Sequence, residues 1–309
     1  MLKYRSPRAG LTRRKLVLGL AGGTTLLAST IPKKAFPIDR PKSKATLARP
    51  WLTLPDTPTL PTVSEQGLVK LSDGASVFFA QFGKGPSVLL LHGGLANSSY
   101  WGHQLTALSS NFTMTVMDTR GHGRSPLSGG SFSYRQFASD VVELLAYLNI
   151  PRTTVVGWSD GAITGIQLAM TKPDMMSGLF AFGANTTPDG LKAGGARTKV
   201  FEQFSSRCRN EYLLLSAHPE RWPVLQRDLV AMWRTQPNFS KQQLAAIKMP
   251  VTVADGEYDE IIKPEHTRQI AANIPYARLT IMSDVSHFAM LQDPPQFDAA
   301  LGEFLLKII

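Results

Sequence analysis

Short apolar stretches alternate with longer amphipathic stretches from residue 67 to the end of the chain. Residues 88–91 form a continuously apolar run, which is typical of a strand buried on both faces. Residues 132–148 instead repeat apolar side chains such as Phe137 and Val141 at helical spacing. The same patterns predict strands at residues 67–70, 76–81, 113–117, 153–156, 178–182, 251–254 and 278–282, and helices at residues 100–108, 161–170, 265–274 and 295–307. This alternation predicts the α/β class, with a mainly parallel sheet covered by helices on both faces.

One long segment, residues 185–247, interrupts the alternation with amphipathic sequence that contains arginine and tryptophan. Two or more helices are predicted from its apolar positions, which are residues 213–215, Trp222, Leu225, Leu229, Met232 and Trp233. We expect the aromatic side chains of this segment either to pack it onto the body or to contact a substrate.

The positive charge of the chain is concentrated in its first 50 residues. The whole chain carries 33 Lys or Arg and 23 Asp or Glu, but residues 1–50 hold 12 of these bases and only one of the acids, Asp39. The other 259 residues hold 21 bases and 22 acids, without a cluster of Lys and Arg. Because nucleic-acid binding requires such a basic surface, we expect no nucleic-acid partner.

The first 31 residues resemble a twin-arginine export signal. Arg13 and Arg14 precede residues 16–31, a weakly apolar stretch with three glycines. This stretch falls short of the roughly 20 strongly apolar residues that a membrane-spanning helix needs. The resemblance implies recognition by the export machinery and a location in the bacterial periplasm, with the signal either cleaved or kept as a membrane anchor. The alternative is a chance Arg-Arg pair in a basic tail.

Residues 32–62 hold seven of the 21 prolines of the chain. Proline breaks helices and removes a donor from interior strands, so we predict an extended linker here. The folded domain is then expected to comprise residues 63–309.

A glycine-flanked serine follows the predicted strand at residues 153–156 and precedes a predicted helix. The segment reads Gly157-Trp158-Ser159-Asp160-Gly161. Glycines suit a sharp turn that brings backbone close to backbone and lifts the serine out at its apex. A helix N-terminus also favours developing negative charge. Ser159 is therefore a candidate nucleophile.

Candidate partners for this serine also follow predicted strands. A serine hydroxyl needs a base, usually histidine, which in turn is oriented by a carboxylate. His287 comes after residues 278–282, while Asp255 and Asp259 come at the end of residues 251–254 and on the loop beyond. Because carboxyl ends of parallel strands meet at one edge of a sheet, we expect these side chains to converge with Ser159.

A glycine pair supplies candidate donors for an oxyanion. His92-Gly93-Gly94 follows the strand at residues 88–91, and its exposed amides resemble half of an oxyanion hole. We predict that Gly94 donates together with the amide of Asp160, with Leu95 as the alternative to Gly94. His92 is expected to be structural.

Several motifs together resemble the α/β-hydrolase superfamily from about residue 63 to the end of the chain. They are His92-Gly93-Gly94, the stretch DTRGHGRS at residues 118–125, the turn at residues 157–161, Gly256-Glu257-Tyr258-Asp259 and Ser286-His287-Phe288. The resemblance implies an eight-stranded sheet, a helical cap at about residues 185–247 after the sixth strand, and a Ser159-Asp259-His287 triad. It places the acid at Asp259 rather than at Asp255, Glu257 or Glu260.

The function implied by this resemblance is a serine hydrolase. It would cleave a carboxylic ester, lactone or amide of a small molecule through an acyl-enzyme, without a cofactor. Serine at position 159 argues against haloalkane dehalogenases and epoxide hydrolases of this fold, which use a carboxylate. C–C bond hydrolases, thioesterases, peracid-forming haloperoxidase-like enzymes and non-catalytic binding proteins of this fold stay as alternatives, and no substrate-binding residue is predicted.

Asp160, next to the candidate nucleophile, has two interpretations. An acid in the first turn of a helix is favoured by the helix dipole. The Gly-Trp-Ser-Asp-Gly segment is also similar to that of valacyclovir-hydrolase-like enzymes, which cleave amino-acid esters. In the second interpretation the Asp160 carboxylate attracts a cationic group on the substrate.

Other candidate groups carry weaker signals. The single cysteine, Cys208, excludes an intrachain disulfide and a thiolate-rich metal site, and no His or acid pair has metal-site spacing. His122 lies in a loop and is expected to be structural. His103, His218 and His266 follow no strand, so we expect them to be exposed or to cap helices.

Overall fold

The computed structural model describes residues 49–129 and 132–308, and eight strands of these residues form one sheet. The strand order is β1-β2-β4-β3-β5-β6-β7-β8. Strand β2 is antiparallel to its neighbours β1 and β4, and the other strand pairs are parallel. The strands are β1 (Glu65–Lys70), β2 (Ser76–Phe82), β3 (Ser87–Leu91), β4 (Thr113–Asp118), β5 (Thr153–Trp158), β6 (Met176–Phe182), β7 (Val251–Gly256) and β8 (Ala277–Met282). The predicted α/β fold with a mainly parallel eight-stranded sheet is confirmed.

Helices cover both faces of this sheet, and the five predicted body helices are all present. Two short helices, α6 and α8, were not predicted because four or five residues are too few to show a helical period. The helices are α1 (Gly102–Leu108), α2 (Tyr134–Tyr147), α3 (Asp160–Thr171), α4 (Lys199–Leu215), α5 (Trp222–Thr235), α6 (Lys241–Ala245), α7 (Pro264–Asn273), α8 (Ala289–Gln292) and α9 (Pro294–Ile308). In this described part of the chain, none of the helices combines the length and apolarity needed to cross a bilayer.

The strand order places a crevice at the carboxyl ends of β3 and β5. These two strands are hydrogen-bonded neighbours, with Leu91 opposite Gly157. In the sheet these two strands lie between β4 and β6. The chain continues from β3 to its outer neighbour β4 and from β5 to its outer neighbour β6, so the two connections diverge. Ligands of open α/β sheets bind where connections diverge in this way. The loops after residues 91 and 158 therefore flank the expected binding crevice.

The helical insertion after the sixth strand is present. Between β6 and β7 the chain forms α4, α5 and α6. Trp222, Leu225, Leu229 and Met232 are buried, as the amphipathic pattern predicts, whereas Leu213 and Leu214 are exposed. The insertion covers the crevice, since Phe201, Phe204 and Trp233 line the cavity there.

The described part of the predicted linker, residues 49–62, is largely extended but is fixed to the body. Leu54 and Leu60 pack against the hydrophobic core, and Arg207 of α4 donates hydrogen bonds to the carbonyl oxygens of Leu54 and Pro55. Ordered contacts therefore begin before residue 63, because proline prevents regular structure without preventing apolar packing. The predicted export signal, residues 1–31, lies outside the described residues and stays a prediction.

Candidate active site

Ser159 occupies the turn between β5 and α3. Its backbone has φ 54° and ψ −119°, a region that non-glycine residues adopt at a cost of about 1–3 kcal/mol. The Ser159 amide donates to Phe182 O at 2.9 Å. A Cβ at Gly157 would lie 2.5 Å from Ala162 Cα, and one at Gly161 would overlap the backbone of Leu91. Both flanking glycines are therefore required by the close approach of α3 to β3 and β5.

His287 and Asp259 form a buried hydrogen-bonded pair. His287 Nδ1 and Asp259 Oδ2 are 2.6 Å apart, and each residue is 2% exposed. Asp259 Oδ1 also accepts the backbone N–H groups of Ile261 at 2.6 Å and Ile262 at 2.7 Å. A carboxylate only accepts, so Nδ1 of the imidazole carries the hydrogen and Nε2 of neutral His287 is free to accept a proton.

The end of β6 brings Ser159 and His287 together. Phe182 accepts the amide hydrogen of Ser159, and a Cβ on the next residue, Gly183, would lie 2.8 Å from His287 Cε1. Both side chains line one cavity together with Gly94 and Asp160. The structure thus gathers all five predicted site residues at one edge of the sheet.

The charges of this pair are mutually stabilising. Burial lowers the pKa of His287, but the charge and hydrogen bond of Asp259, with smaller contributions from Glu260 and Asp160, raise it above the ordinary value. Burial also opposes ionisation of Asp259, yet the charge and hydrogen bond of His287 bring its pKa below the ordinary value. Asp259 therefore stays ionised and favours the protonated imidazole.

The glycine loop after β3 is held by its own histidine. His92 Nδ1 donates to Gly93 O at 2.7 Å, and His92 Nε2 accepts the Thr119 N–H at 2.9 Å. Leu95 has φ 66°, which turns the backbone beyond the loop. Within residues 49–129 and 132–308, the amides of Gly94, Leu95 and Asp160 donate no hydrogen bond to a backbone carbonyl. The predicted donors and the alternative Leu95 are thus equally available to a ligand.

Asp160 joins the core to the cap. Its carboxylate accepts Tyr134 Oη–H at 2.7 Å and Trp233 Nε1–H at 2.9 Å. A Cβ at Gly94 would overlap both Asp160 Oδ2 and the Trp233 ring. Burial raises the pKa of Asp160 to about 6, against the lowering effect of these two donors and of His287. Tyr134 was not predicted at the site because it lies 26 residues away on another helix.

The shared cavity has a volume of about 1020 Å³ and is covered by the cap. Its wall opposite the sheet is mainly apolar and aromatic, with contributions from Phe201, Phe204, Trp222, Val230 and Trp233. Charged side chains from the insertion also line it, namely Lys192, Glu202, Arg209 and Arg234. A cavity of this size accommodates a drug-sized organic ligand.

The other candidate residues lie outside this pairing, and one expectation was wrong. Glu257 and Glu260 bind backbone amides of Asp284 and His287 rather than an imidazole. His266 is not exposed and does not cap a helix. Its ring is buried against Gly190, and its Nε2 accepts the Thr186 N–H at 3.0 Å, because the insertion folds over α7.

The remaining minor expectations concern metals and the cysteine. Among the residues that the structure describes, no group of three or more His, Cys, Asp or Glu side chains is arranged to hold a metal ion. Cys208 is buried, and its Sγ lies 3.5 Å from Tyr100 Oη. His122 is buried and its Nδ1 contacts Arg120 O at 3.1 Å.

The sequence profile of the alpha/beta hydrolase family matches residues 88–300, which is more than half of the chain. The chain belongs to this family. Human serine hydrolase BPHL is 26% identical over 250 residues, covering 75% of this chain and 84% of that protein. The pimeloyl-[acyl-carrier protein] methyl ester esterase of Nitrosospira multiformis is 24% identical over 262 residues. The alignment covers 74% of this chain and 98% of that esterase.

A solved structure supports the same relationship. Est816, described as an N-acyl homoserine lactone degrading enzyme, superposes with a TM-score of 0.63 at 26% identity. The match covers 77% of this chain and 100% of Est816. The alignments therefore cover between 84% and 100% of these three proteins.

Proposed function

We propose that this alpha/beta hydrolase is a serine hydrolase that cleaves a carboxylic ester of a small molecule. The observation that carries the proposal is the 2.6 Å hydrogen bond to Asp259 from His287, which lines the same cavity as Ser159. A serine becomes nucleophilic when a neighbouring imidazole, oriented by a carboxylate, takes its proton.

The proposed reaction has two acyl-transfer steps. Nε2 of His287 takes the Ser159 proton while Oγ bonds to the ester carbonyl carbon, and Asp259 stabilises the imidazolium. The imidazolium then protonates the leaving oxygen, so the alcohol departs and the acyl group stays on Ser159. A water molecule gives a proton to His287 while its oxygen bonds to the acyl carbon. The bond from that carbon to Oγ then breaks, His287 returns the proton to Oγ, and the acyl group leaves as a carboxylic acid.

The free amides of Gly94 and Asp160 are the proposed oxyanion donors. They lie beside Ser159, and the Asp160 amide is also the first N–H of α3, where the helix dipole favours negative charge. The loss of one such donor typically costs about 10²–10³ in turnover. Leu95 is the alternative to Gly94 on the same loop.

An ester substrate is supported by the relatives. The Nitrosospira protein is named as a methyl ester esterase, human BPHL as a serine hydrolase and Est816 as a lactone-degrading enzyme. All three names are compatible with acyl transfer at a serine, and the large apolar cavity suits an organic acyl group. Lactones, amides, C–C bonds and peracid formation are the alternative reactions on the same three residues.

A panel of p-nitrophenyl esters that vary in acyl length and charge tests this proposal. We expect turnover with at least one ester, and labelling of Ser159 by a fluorophosphonate. Labelling without turnover on any ester would favour a ligand-binding protein that keeps the three residues. Absence of both would contradict the proposal.

Asp160→Asn tests the proposal that the Asp160 carboxylate recognises an amine. Asparagine keeps an oxygen for Tyr134 and Trp233 but loses the charge, so kcat/KM should fall by about 10-fold or more for a valine ester. The desamino analogue of that ester should be hydrolysed as before. In the unmodified enzyme, preference for the amine should rise as pH increases through about 6, because the carboxyl ionises there.

A matched control for this substitution is Asp298→Asn. Burial also raises the pKa of Asp298 to about 6, and this residue lies on α9. It is not among the residues that line the cavity. The control should leave the ratio of the two kcat/KM values unchanged. If Asp160→Asn lowers kcat/KM equally for both substrates, Asp160 does not recognise the amine. Its role is then to join the core to the cap.

A further inference from the structure

The segment before β1 contacts the loops that carry Asp259 and His287. We call residues 51–57 of this segment the strap. At its start, the Trp51 ring stacks on the Tyr258 ring, with 4.1 Å between the ring centroids and 12° between the ring planes. Tyr258 directly precedes Asp259 in the chain. The strap therefore meets the Asp259 loop at the residue next to the candidate acid.

A second contact of the strap reaches the loop that carries His287. Gln292 of α8 donates from Nε2 to Thr53 O at 2.9 Å and to Ser286 Oγ at 3.0 Å. Oε1 of the same side chain accepts the Ser286 N–H at 2.7 Å. Gln292 thus joins the strap to the residue directly before His287.

The strap is also anchored to the cap. Arg207 of α4 donates two hydrogen bonds to carbonyl oxygens of the strap, and Glu211 of the same helix accepts the Thr57 hydroxyl. Because these contacts fix the strap beyond its first residues, Trp51 is presented to Tyr258 by an ordered segment and is not held by the stacking contact alone.

Tyr258 connects the two loops through its backbone. Its amide donates to Val285 O at 3.0 Å, and the carboxylate of the next residue, Asp259, is hydrogen-bonded to the His287 imidazole. The Tyr258 side chain is 41% exposed, so the body of the protein encloses this ring only in part. Stacking of Trp51 on one face of the ring limits the motion of the backbone that leads into Asp259.

We propose that Trp51 is a positioning residue, whose stacking on Tyr258 holds the Asp259 loop so that the carboxylate keeps its direction towards His287. This inference rests on the proposed function of the Asp259–His287 pair. Trp51 is not among the residues that line the cavity, so it acts through Tyr258 and not by contact with a substrate. Part of the segment that the prolines predict to be a linker thereby supports the active site.

Trp51→Ala and Trp51→Phe, made in the full chain, test this proposal on the ester that the enzyme turns over best. Without the stack the Asp259 loop gains freedom, so Trp51→Ala should lower kcat on the order of 10-fold and leave KM nearly unchanged. Phenylalanine keeps a ring that can stack, so Trp51→Phe should retain most of kcat. Full kcat of Trp51→Ala, measured well below its thermal unfolding temperature, would overturn the proposal.

Leu52→Ala is the matched control. Leu52 shares the short 3-10 helix Pro50–Leu52 with Trp51, and its side chain is 56% exposed. Its truncation removes apolar atoms from the same turn but leaves the stack intact, so kcat should stay unchanged. An equal loss of kcat in Leu52→Ala would show that truncation of this turn in general lowers activity, against a specific role of Trp51.

A double-mutant cycle with Tyr258→Ala tests whether Trp51 acts through the Tyr258 ring. Either single substitution removes the same stack, so Trp51→Ala should have no further effect on kcat when it is made in Tyr258→Ala. If the two losses of kcat instead multiply, Trp51 acts by another route and the proposal is wrong.

Hydrogen exchange followed by mass spectrometry tests the loop without relying on hydrolysis. In Trp51→Ala, peptides that span residues 256–262 should exchange faster than in the unsubstituted protein, whereas in Leu52→Ala they should not. If the protein hydrolyses no ester but this faster exchange is observed, the proposed function fails while the hold of Trp51 on the loop stands. If esters are hydrolysed and Trp51→Ala changes neither kcat nor exchange, the role of Trp51 alone is contradicted.

Discussion

Replacing Ser159 with alanine is expected to lower kcat for ester hydrolysis by about 10⁶-fold without unfolding the protein. Alanine lacks the hydroxyl that forms the acyl-enzyme, so the two-step route is lost. Serine and alanine both carry a Cβ, so the positive φ of 54° at this position makes the same demand on either residue. Initial rates on the best p-nitrophenyl ester, together with the thermal unfolding temperature, measure both parts of this expectation.

A second serine of the cavity provides the matched control. Ser205 of α4 lines the same cavity. It lies on the cap, whereas Ser159 and His287 lie on loops that follow strands of the sheet. Ser205→Ala should keep kcat close to that of the unsubstituted enzyme. The assignment of the nucleophile would be wrong if Ser159→Ala retained most of the activity, or if Ser205→Ala lost it.

Asp259→Asn is expected to lower kcat by about 10⁴-fold. The asparagine amide can donate to Nδ1, which places the hydrogen of neutral His287 on Nε2 and prevents that atom from accepting the Ser159 proton. Loss of the negative charge also removes the main influence that raises the pKa of His287. The acid limb of the residual kcat/KM profile, where His287 loses its proton, should therefore move to lower pH.

Glu257→Gln is the matched control for this substitution, because Glu257 is an exposed acid of the same loop that contacts the Asp284 amide at 3.2 Å. It should leave both kcat and the pH profile unchanged. The assignment of the acid fails if Asp259→Asn is nearly as active as the unsubstituted enzyme while Asp255→Asn is inactive.

The sheet and the loops at its edge were predictable because their signals are local. Residues 88–91 are buried on both faces, as their continuous apolar run indicates. Each of Ser159, Asp259 and His287 follows a predicted strand, and the parallel topology carries all three to one edge. Their convergence at this edge was therefore expected from their positions after parallel strands, before any side-chain contact was known.

The contacts around Asp160 were not predictable because they depend on packing between distant elements. Tyr134 and Trp233 reach the Asp160 carboxylate from α2 and from the cap, and neither lies near it in the chain. The buried position of His266 has the same origin, since the ring contacts the insertion rather than its own helix. Helical or strand spacing gives no information about such contacts between elements.

The surroundings of the Asp255 side chain also exceed what the sequence indicates. Four residues separate Asp255 from Asp259, and the loop between them could point Asp255 in several directions. The structure shows its side chain hydrogen-bonded to the Thr267 hydroxyl of α7 and to the Gly256 N–H. Strand positions alone left both acids as candidates and the family resemblance favoured Asp259, whose carboxylate is the one hydrogen-bonded to the imidazole in the structure.

Trapping of the acyl-enzyme is the most direct test of a serine nucleophile. The protein is mixed with a p-nitrophenyl ester that it turns over, and the reaction is quenched in acid within the first turnovers. The protein is then digested, and its peptides are analysed by mass spectrometry. The expected result is one acyl group on the peptide that contains Gly157–Gly161, localised to Ser159 and missing from Ser159→Ala. Turnover without acylation of that peptide, or with the acyl group on another residue, would contradict the proposed mechanism.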